Sequence, residues 1–252
     1  MKIYDSHIHI PGSGGETFHE AGNRVRSMEE LVGILDDCGI DRGVIFSTVS
    51  TLSKSPAEFI RGNREVLDAL ARYPGRFWGA CTVNPLFLKE SLEELEVCMQ
   101  EFGFHWLGEM CPYLGGYSAT SCEMLKVIEA ASDLGYIVHL HCNNDEAERI
   151  VRDFPDTRFV FAHLQGFGEC ERRYRIVASR EGLFVDISGS EIVRHGILEL
   201  AVEVAGTDRL LFGSDLIIDN PVPTIARIEK LDISRREKES IFWRNLADLL
   251  EK

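Results

Sequence analysis

The chain has 252 residues, 44% of them hydrophobic, which suits the core of one large α/β domain spanning residues 1–252. Lys and Arg number 27 against 41 Asp and Glu, a net charge of -14, and this balance argues against nucleic acid or an anionic membrane as a partner, since both need a basic patch. Seven cysteines (Cys38, Cys81, Cys98, Cys111, Cys122, Cys142 and Cys170) form no C-x-x-C pair and are odd in number, the pattern of reduced thiols in a cytoplasmic chain and not of a disulfide framework.

The N-terminus, Met1 to Asp5, reads as a strand and not as a signal peptide, and no apolar run is long enough to span a bilayer. From there strand-like and helix-like stretches alternate. Strands are expected over Lys2 to His9, Arg42 to Ser47, Arg76 to Val83, Trp106 to Met110, Tyr136 to His141, Arg158 to His163, Leu183 to Ser188 and Arg209 to Ser214. Most are short apolar runs, as parallel strands buried on both faces require. Between them, Met28 to Cys38 carries Leu31 and Leu35 on one side, with Ser27 as N-cap and Glu30 as its capping-box partner. Helical patterns recur over Ser91 to Phe102, Cys122 to Leu134 and Asp145 to Phe154, and an amphipathic stretch from Ser234 to Leu250 closes the chain. Gly39, Gly103 and Gly135 follow helices where a left-handed cap residue is wanted. Eight β-α units in this length predict a single-domain (β/α)8 TIM barrel. A doubly wound sheet would favour a phosphate loop running from the first strand straight into a helix, and Gly12-Ser13-Gly14-Gly15 leads into a polar loop instead.

In such a barrel the reactive groups sit at the C-terminal ends of the strands. Strand one ends in Asp5-Ser6-His7-Ile8-His9, and side-chain alternation points His7 and His9 the same way. Taken alone, His-x-His fits a half-buried strand with two polar neighbours as well as a metal site. Strand four adds Glu109, strand five His141, strand six His163 and strand eight Asp215. That many polar side chains in a barrel mouth need a compensating partner, and a divalent cation is the simplest one.

The ordered set Asp5-x-His7-x-His9, Gly108-Glu109, His141, Ala162-His163 and Phe212-Gly213-Ser214-Asp215 resembles the amidohydrolase superfamily, and within it the amidohydrolase-2 branch of metal-dependent TIM-barrel hydrolases. The resemblance covers the whole chain. It implies that His7, His9, His141 and Asp215 bind metal, that Glu109 bridges to a second ion, and that His163 binds that ion or acts on substrate. One or two ions fit this set. Imidazole donors suit zinc, and the carboxylates leave manganese or iron open. A bound metal lowers the pKa of its water to about 7, and Asp215 would take that proton and pass it to the leaving group.

These residues predict a metal-dependent hydrolase of a small amide, lactone or ester. The alternative on the same scaffold is a decarboxylase of a small unsaturated or aromatic acid, although such relatives are usually longer. Phosphodiester hydrolysis is disfavoured by the acidic charge. A barrel that binds metal without chemistry is the rival of a different class. The partner is a small-molecule substrate, and a homo-oligomer is left open.

Other residues have bland readings beside the functional ones. His139 shares the His141 face one layer deeper and reads as a hydrogen-bonded interior histidine, although a register error would exchange the two. Asp5, deeper still on the His7 face, reads as a structural acceptor. Cys142 reads as a packed thiol, and Cys111 as a core thiol that could edge the site. His105 and His195 fit surface roles. His19, Arg24 and Arg26 sit in the loop after strand one, where an arginine could hold a substrate carboxylate or simply be solvated. Tyr113 and Tyr117 are candidates for a pocket wall, and Asn143 and Asn144 for orienting substrate. Glu93-Glu94-Glu96 and Arg235-Arg236-Glu237-Lys238-Glu239 read as solvated helix faces.

Overall fold

The computed structural model describes residues 1–18, 25–166 and 168–251. Its eight strands are β1 (Tyr4–Ile10), β2 (Arg42–Ser47), β3 (Phe77–Cys81), β4 (Trp106–Met110), β5 (Ile137–Leu140), β6 (Arg158–Phe161), β7 (Leu183–Asp186) and β8 (Leu210–Leu211). Each pairs in parallel with the next in chain order. The ring is drawn together by a parallel bridge between Ile8 and Leu216 and by the Ser6 amide, which donates to the Phe212 carbonyl at 2.9 Å. The fold is the expected (β/α)8 barrel. Its outer layer contains α1 (Met28–Asp37), α2 (Pro56–Arg72), α3 (Leu88–Gln100), α4 (Cys122–Asp133), α5 (Asn144–Asp153), α6 (Cys170–Ala178), α7 (Ile197–Ala205) and α8 (Pro221–Lys230).

The expected elements agree with the observed ones to within a few residues, and the discrepancies are local. The second, sixth, seventh and eighth helices were not among the expected patterns. The Ser27 side chain accepts from the Glu30 amide, but the Glu30 carboxylate returns to the amide of Arg26 and not of Ser27, so the capping box is only half formed. Gly39, Gly103 and Gly135 take positive φ after their helices, as expected. Glu94 is buried and ion-paired to Arg64 at 2.7 Å, which removes it from the solvated face assigned to its neighbours Glu93 and Glu96.

Two apolar layers position the site. One lies between strands and helices and contains Ile8, Ile45, Leu107, Val138, Phe159 and Val185 packed on helix residues such as Leu35, Leu95 and Val127. A smaller cluster gathers Tyr4, Val44, Phe46, Ala80, Trp106, Ile137, Val160 and Leu211 with Leu246, Ala247 and Leu249 of the last helix. The chain's C-terminal helical segment therefore plugs the end of the barrel opposite to the strand C-termini. Ser234 starts that segment with a complete capping box to Glu237.

Candidate metal centre

Beyond the apolar cluster, toward the strand C-termini, the interior turns polar. His7 and His9 leave β1 on one side, with Nε2 atoms 3.3 Å apart. Asp215 follows β8 in the left-handed backbone region (φ 57), and its amide donates to the His7 carbonyl at 2.9 Å. This backbone tie brings Asp215 Oδ1 within 3.2 Å of both His7 Nε2 and His9 Nε2. Glu109 spans the site. Its Oε2 lies 3.5 Å from His7 and 3.6 Å from His9, and its Oε1 lies 3.0 Å from His141 Nδ1 and 3.7 Å from His163 Nε2. His163, also at positive φ (67), places Nε2 4.0 Å from Asp215 Oδ2. All six residues singled out in the sequence thus meet at one end of the barrel.

Gly108, ahead of Glu109, has φ 115, and a Cβ there would lie 2.2 Å from the His139 carbonyl oxygen. Only glycine lets β4 approach β5 this closely.

His139 and His141 separate as expected. His139 is fully buried and its Nε2 lies 2.8 Å from Asp186 Oδ2, whereas the His141 side chain is 28% exposed at the mouth. Asp5 is a structural acceptor: its Oδ1 takes the amides of His7 and Ser214, each at 3.0 Å. The β1–β2 register shifts between Asp5 and Ile8, so the plain alternation that would place Asp5 on the His7 face is interrupted. Asp186 was missed. It ends the apolar run of β7 and accepts from His7 as well as His139, with its Oδ2 3.2 Å from His7 Nδ1. The rule applied to the other strands, a polar residue closing an apolar run, would have found it.

The charges are strongly coupled. Burial disfavours a proton on His7, but Asp215, Asp186 and Glu109 together hold its pKa well above the ordinary imidazole value. Burial would raise Asp186 and Glu109, yet the charge of His7 and the hydrogen bonds from His139 and His141 hold both well below the usual carboxylate range. Asp215 is likewise lowered against its burial by His7, His9 and His163. His139 is lowered by burial, which keeps it neutral. Burial pushes Asp5 up to about 7.

The donor set fits a divalent cation. Donors about 2.1 Å from one tetrahedral centre lie about 3.4 Å from one another; the His7, His9 and Asp215 atoms are separated by 3.2, 3.2 and 3.3 Å, and Glu109 Oε2 lies 3.5 and 3.6 Å from the two imidazole nitrogens. Asp215 Oδ1 is buried without a hydrogen-bond partner among the described residues, although such an atom ordinarily has one. Cys111, buried beside the site with Sγ 3.9 Å from His141 Nδ1, adds a third type of donor near Glu109.

Over the mouth, Pro112, Tyr113, Tyr117, Ser118, His141 and Gln165 are among the residues lining an open cavity of about 410 Å³. The Tyr113 ring meets His141 edge-on, with centroids 5.0 Å apart. Asn143 borders this cavity while capping α5. Asn144 is committed elsewhere: its Oδ1 accepts from Arg173 and its Nδ2 donates to Glu169, both at 2.8 Å. Cys142 is a buried thiol, and His105 and His195 are exposed. Arg26 is exposed and lines a separate cavity between the end of β1 and α2. His19 and Arg24 lie outside the described residues. All seven cysteines are free, and no described helix is long and apolar enough to cross a membrane.

Solved structures share this fold. A dihydroxybenzoic acid decarboxylase from Polaromonas, with bound manganese and the inhibitor 2-nitroresorcinol, is 15% identical with a TM-score of 0.76 over 99% of this chain and 97% of that one. 5-Carboxyvanillate decarboxylase from Sphingomonas paucimobilis is 14% identical with a TM-score of 0.76 over 99% of each chain. A Pseudomonas putida protein assigned as a 2-pyrone-4,6-dicarboxylic acid hydrolase is 20% identical with a TM-score of 0.69 over 99% of this chain and 97% of that one. No curated protein matches the chain in sequence. The amidohydrolase family model, however, matches residues 4–251, the full circuit of the barrel from His7 and His9 to Asp215 and the closing helix, and the chain belongs to the amidohydrolase family.

Proposed function

We propose that this protein is a metal-dependent enzyme acting on a small carboxylated substrate at the barrel mouth, with His7, His9, Asp215 and Glu109 as metal ligands and His141 and His163 beside them. The observation that carries this reading is the convergence of imidazole and carboxylate donor atoms from β1, β4 and the loop after β8. A divalent cation bound there supplies a Lewis acid for a carboxylate or carbonyl oxygen and acidifies a bound water. Zinc suits the imidazoles, and manganese suits the carboxylates equally well.

Within that class, decarboxylation of a small hydroxylated aromatic acid is the reading we place first. It is supported by the aromatic wall of Tyr113 and Tyr117 beside His141 and by the likeness to decarboxylases of such acids. That likeness runs over 97% or more of those chains. In this reaction the bond between ring and carboxyl carbon breaks, carbon dioxide leaves, and a proton takes its place on the ring. We assign its delivery to Asp215 or His163. Hydrolysis is the second reading, supported by the family and by the likeness to the Pseudomonas putida protein. There Asp215 accepts a proton from water and returns it to the leaving group. The free thiols are in keeping with a cytoplasmic enzyme.

The test is metal analysis of the purified protein, followed by turnover of a panel of hydroxybenzoates, lactones and amides in ¹⁸O-labelled water. Carbon dioxide release without label in the product identifies the decarboxylase, and label in a new carboxylate identifies the hydrolase. A protein that binds no zinc or manganese refutes both.

A further inference from the structure

We infer that Asp186, acting with Ser188, is the positioning residue that fixes which nitrogen of His7 and of His163 faces the metal centre. This rests on the metal-centre reading above. A carboxylate offers about four lone-pair sites, and those of Asp186 are filled. Its Oδ1 accepts from the Ser188 amide at 3.0 Å and from the Ser188 hydroxyl in a short contact. Its Oδ2 accepts from His139 Nε2 at 2.8 Å and His7 Nδ1 at 3.2 Å. Asp186, His139 and His7 lie close enough to be taken for a ligand trio, but four donors leave this carboxylate no lone pair for an ion.

Proton counting then sets the imidazoles. The Ser188 hydroxyl has one proton, and Asp186 takes it. Toward His163 Nδ1, at 2.9 Å, Ser188 can only accept, so His163 carries its proton on Nδ1. His7 Nδ1 faces two acceptors, Asp186 Oδ2 and, at 3.4 Å, Ser188 Oγ, so it too is N–H. Both rings therefore turn Nε2 toward Glu109 and Asp215. The contact is held tight at Gly189, where a Cβ would lie 2.9 Å from His163 Nδ1. His9 is the contrast: its Nδ1 is buried without a hydrogen-bond partner among the described residues. One β7 carboxylate thus orients imidazoles from β1 and β6, the role that outer carboxylates play for metal-bound histidine.

The test is ¹⁵N–¹H long-range correlation of ¹⁵N-histidine-labelled protein, metal-free and zinc-loaded, with zinc affinity measured by chelator competition. The expected result is an Nδ1–H signature for His163 in both states and for His7 in the loaded state. Asp186→Asn should lose the His7 signature and weaken zinc roughly 10- to 100-fold with the far-UV spectrum unchanged. Ser188→Ala should disturb His163 alone. Nε2–H tautomers in the wild type, or an Asp186→Asn protein that binds zinc as the wild type does, would overturn the inference. If Asp186→Asn does not fold, the wild-type and Ser188→Ala spectra still decide. Failure of the wild type to bind zinc or manganese would instead refute the metal-centre reading, and the metal-free His163 tautomer would still judge Asp186 and Ser188.

Discussion

The two ends of this barrel are built from the same strands on opposite principles. At the N-terminal end, Tyr4, Val44, Trp106, Ile137, Val160 and Leu211 meet Leu246 and Leu249 of the closing helix. This cluster is apolar, and burial of its surface stabilises the fold at roughly 25 cal/mol per Å². At the C-terminal end, a few residues further along, the interior holds His7, His139, Asp186, Glu109 and Asp215 with almost no exposure. Burying those groups opposes folding unless each is matched by a proton, a hydrogen bond or an ion. The comparison teaches a division of labour: one end secures the ring, and the ring holds the other end in an arrangement that would not assemble by itself.

The largest test of that division is Asp215→Asn. It removes the proposed proton-transfer group and metal ligand, and turnover should fall about 100- to 10,000-fold while circular dichroism stays that of the folded protein. Appreciable activity in that variant would sink the role assigned to Asp215. At the opposite end, Leu246→Ala should cost about 2–5 kcal/mol of stability, read by urea denaturation, and leave zinc affinity unchanged where the protein is folded. A large loss of affinity there would mean that the two ends are not separable.

A smaller effect follows from His7. Its carboxylate neighbours favour the imidazolium, and a metal ligand must be deprotonated, so metal binding by His7 as proposed would expel a proton. Zinc affinity should therefore rise with pH, by up to about tenfold per pH unit, until His7 is neutral in the free protein. Because the pKa of His7 is raised, that rise should continue above the ordinary imidazole range. Affinity that levels off below it would contradict the ion-pair cluster around His7.

Much of this was legible in the chain itself. Apolar runs alternating with amphipathic stretches give eight β-α units, because buried parallel strands and half-buried helices impose different periods on the same chemistry. The six residues of the candidate centre were readable because each polar group stands at the end of an apolar run, where burial without a partner is too costly to be accidental. Tertiary structure decided what pairwise distance decides. The positive φ of His163 and Asp215 carries both just past their strands, and no local pattern announces that. Glu109 dividing its two oxygens between two pairs of histidines, Glu94 meeting Arg64, and Asp186 gathering His7 and His139 all join residues tens or hundreds of positions apart. Hydrogen bonds and charges act over a few ångströms in space, and only the closed ring sets which residues come that near.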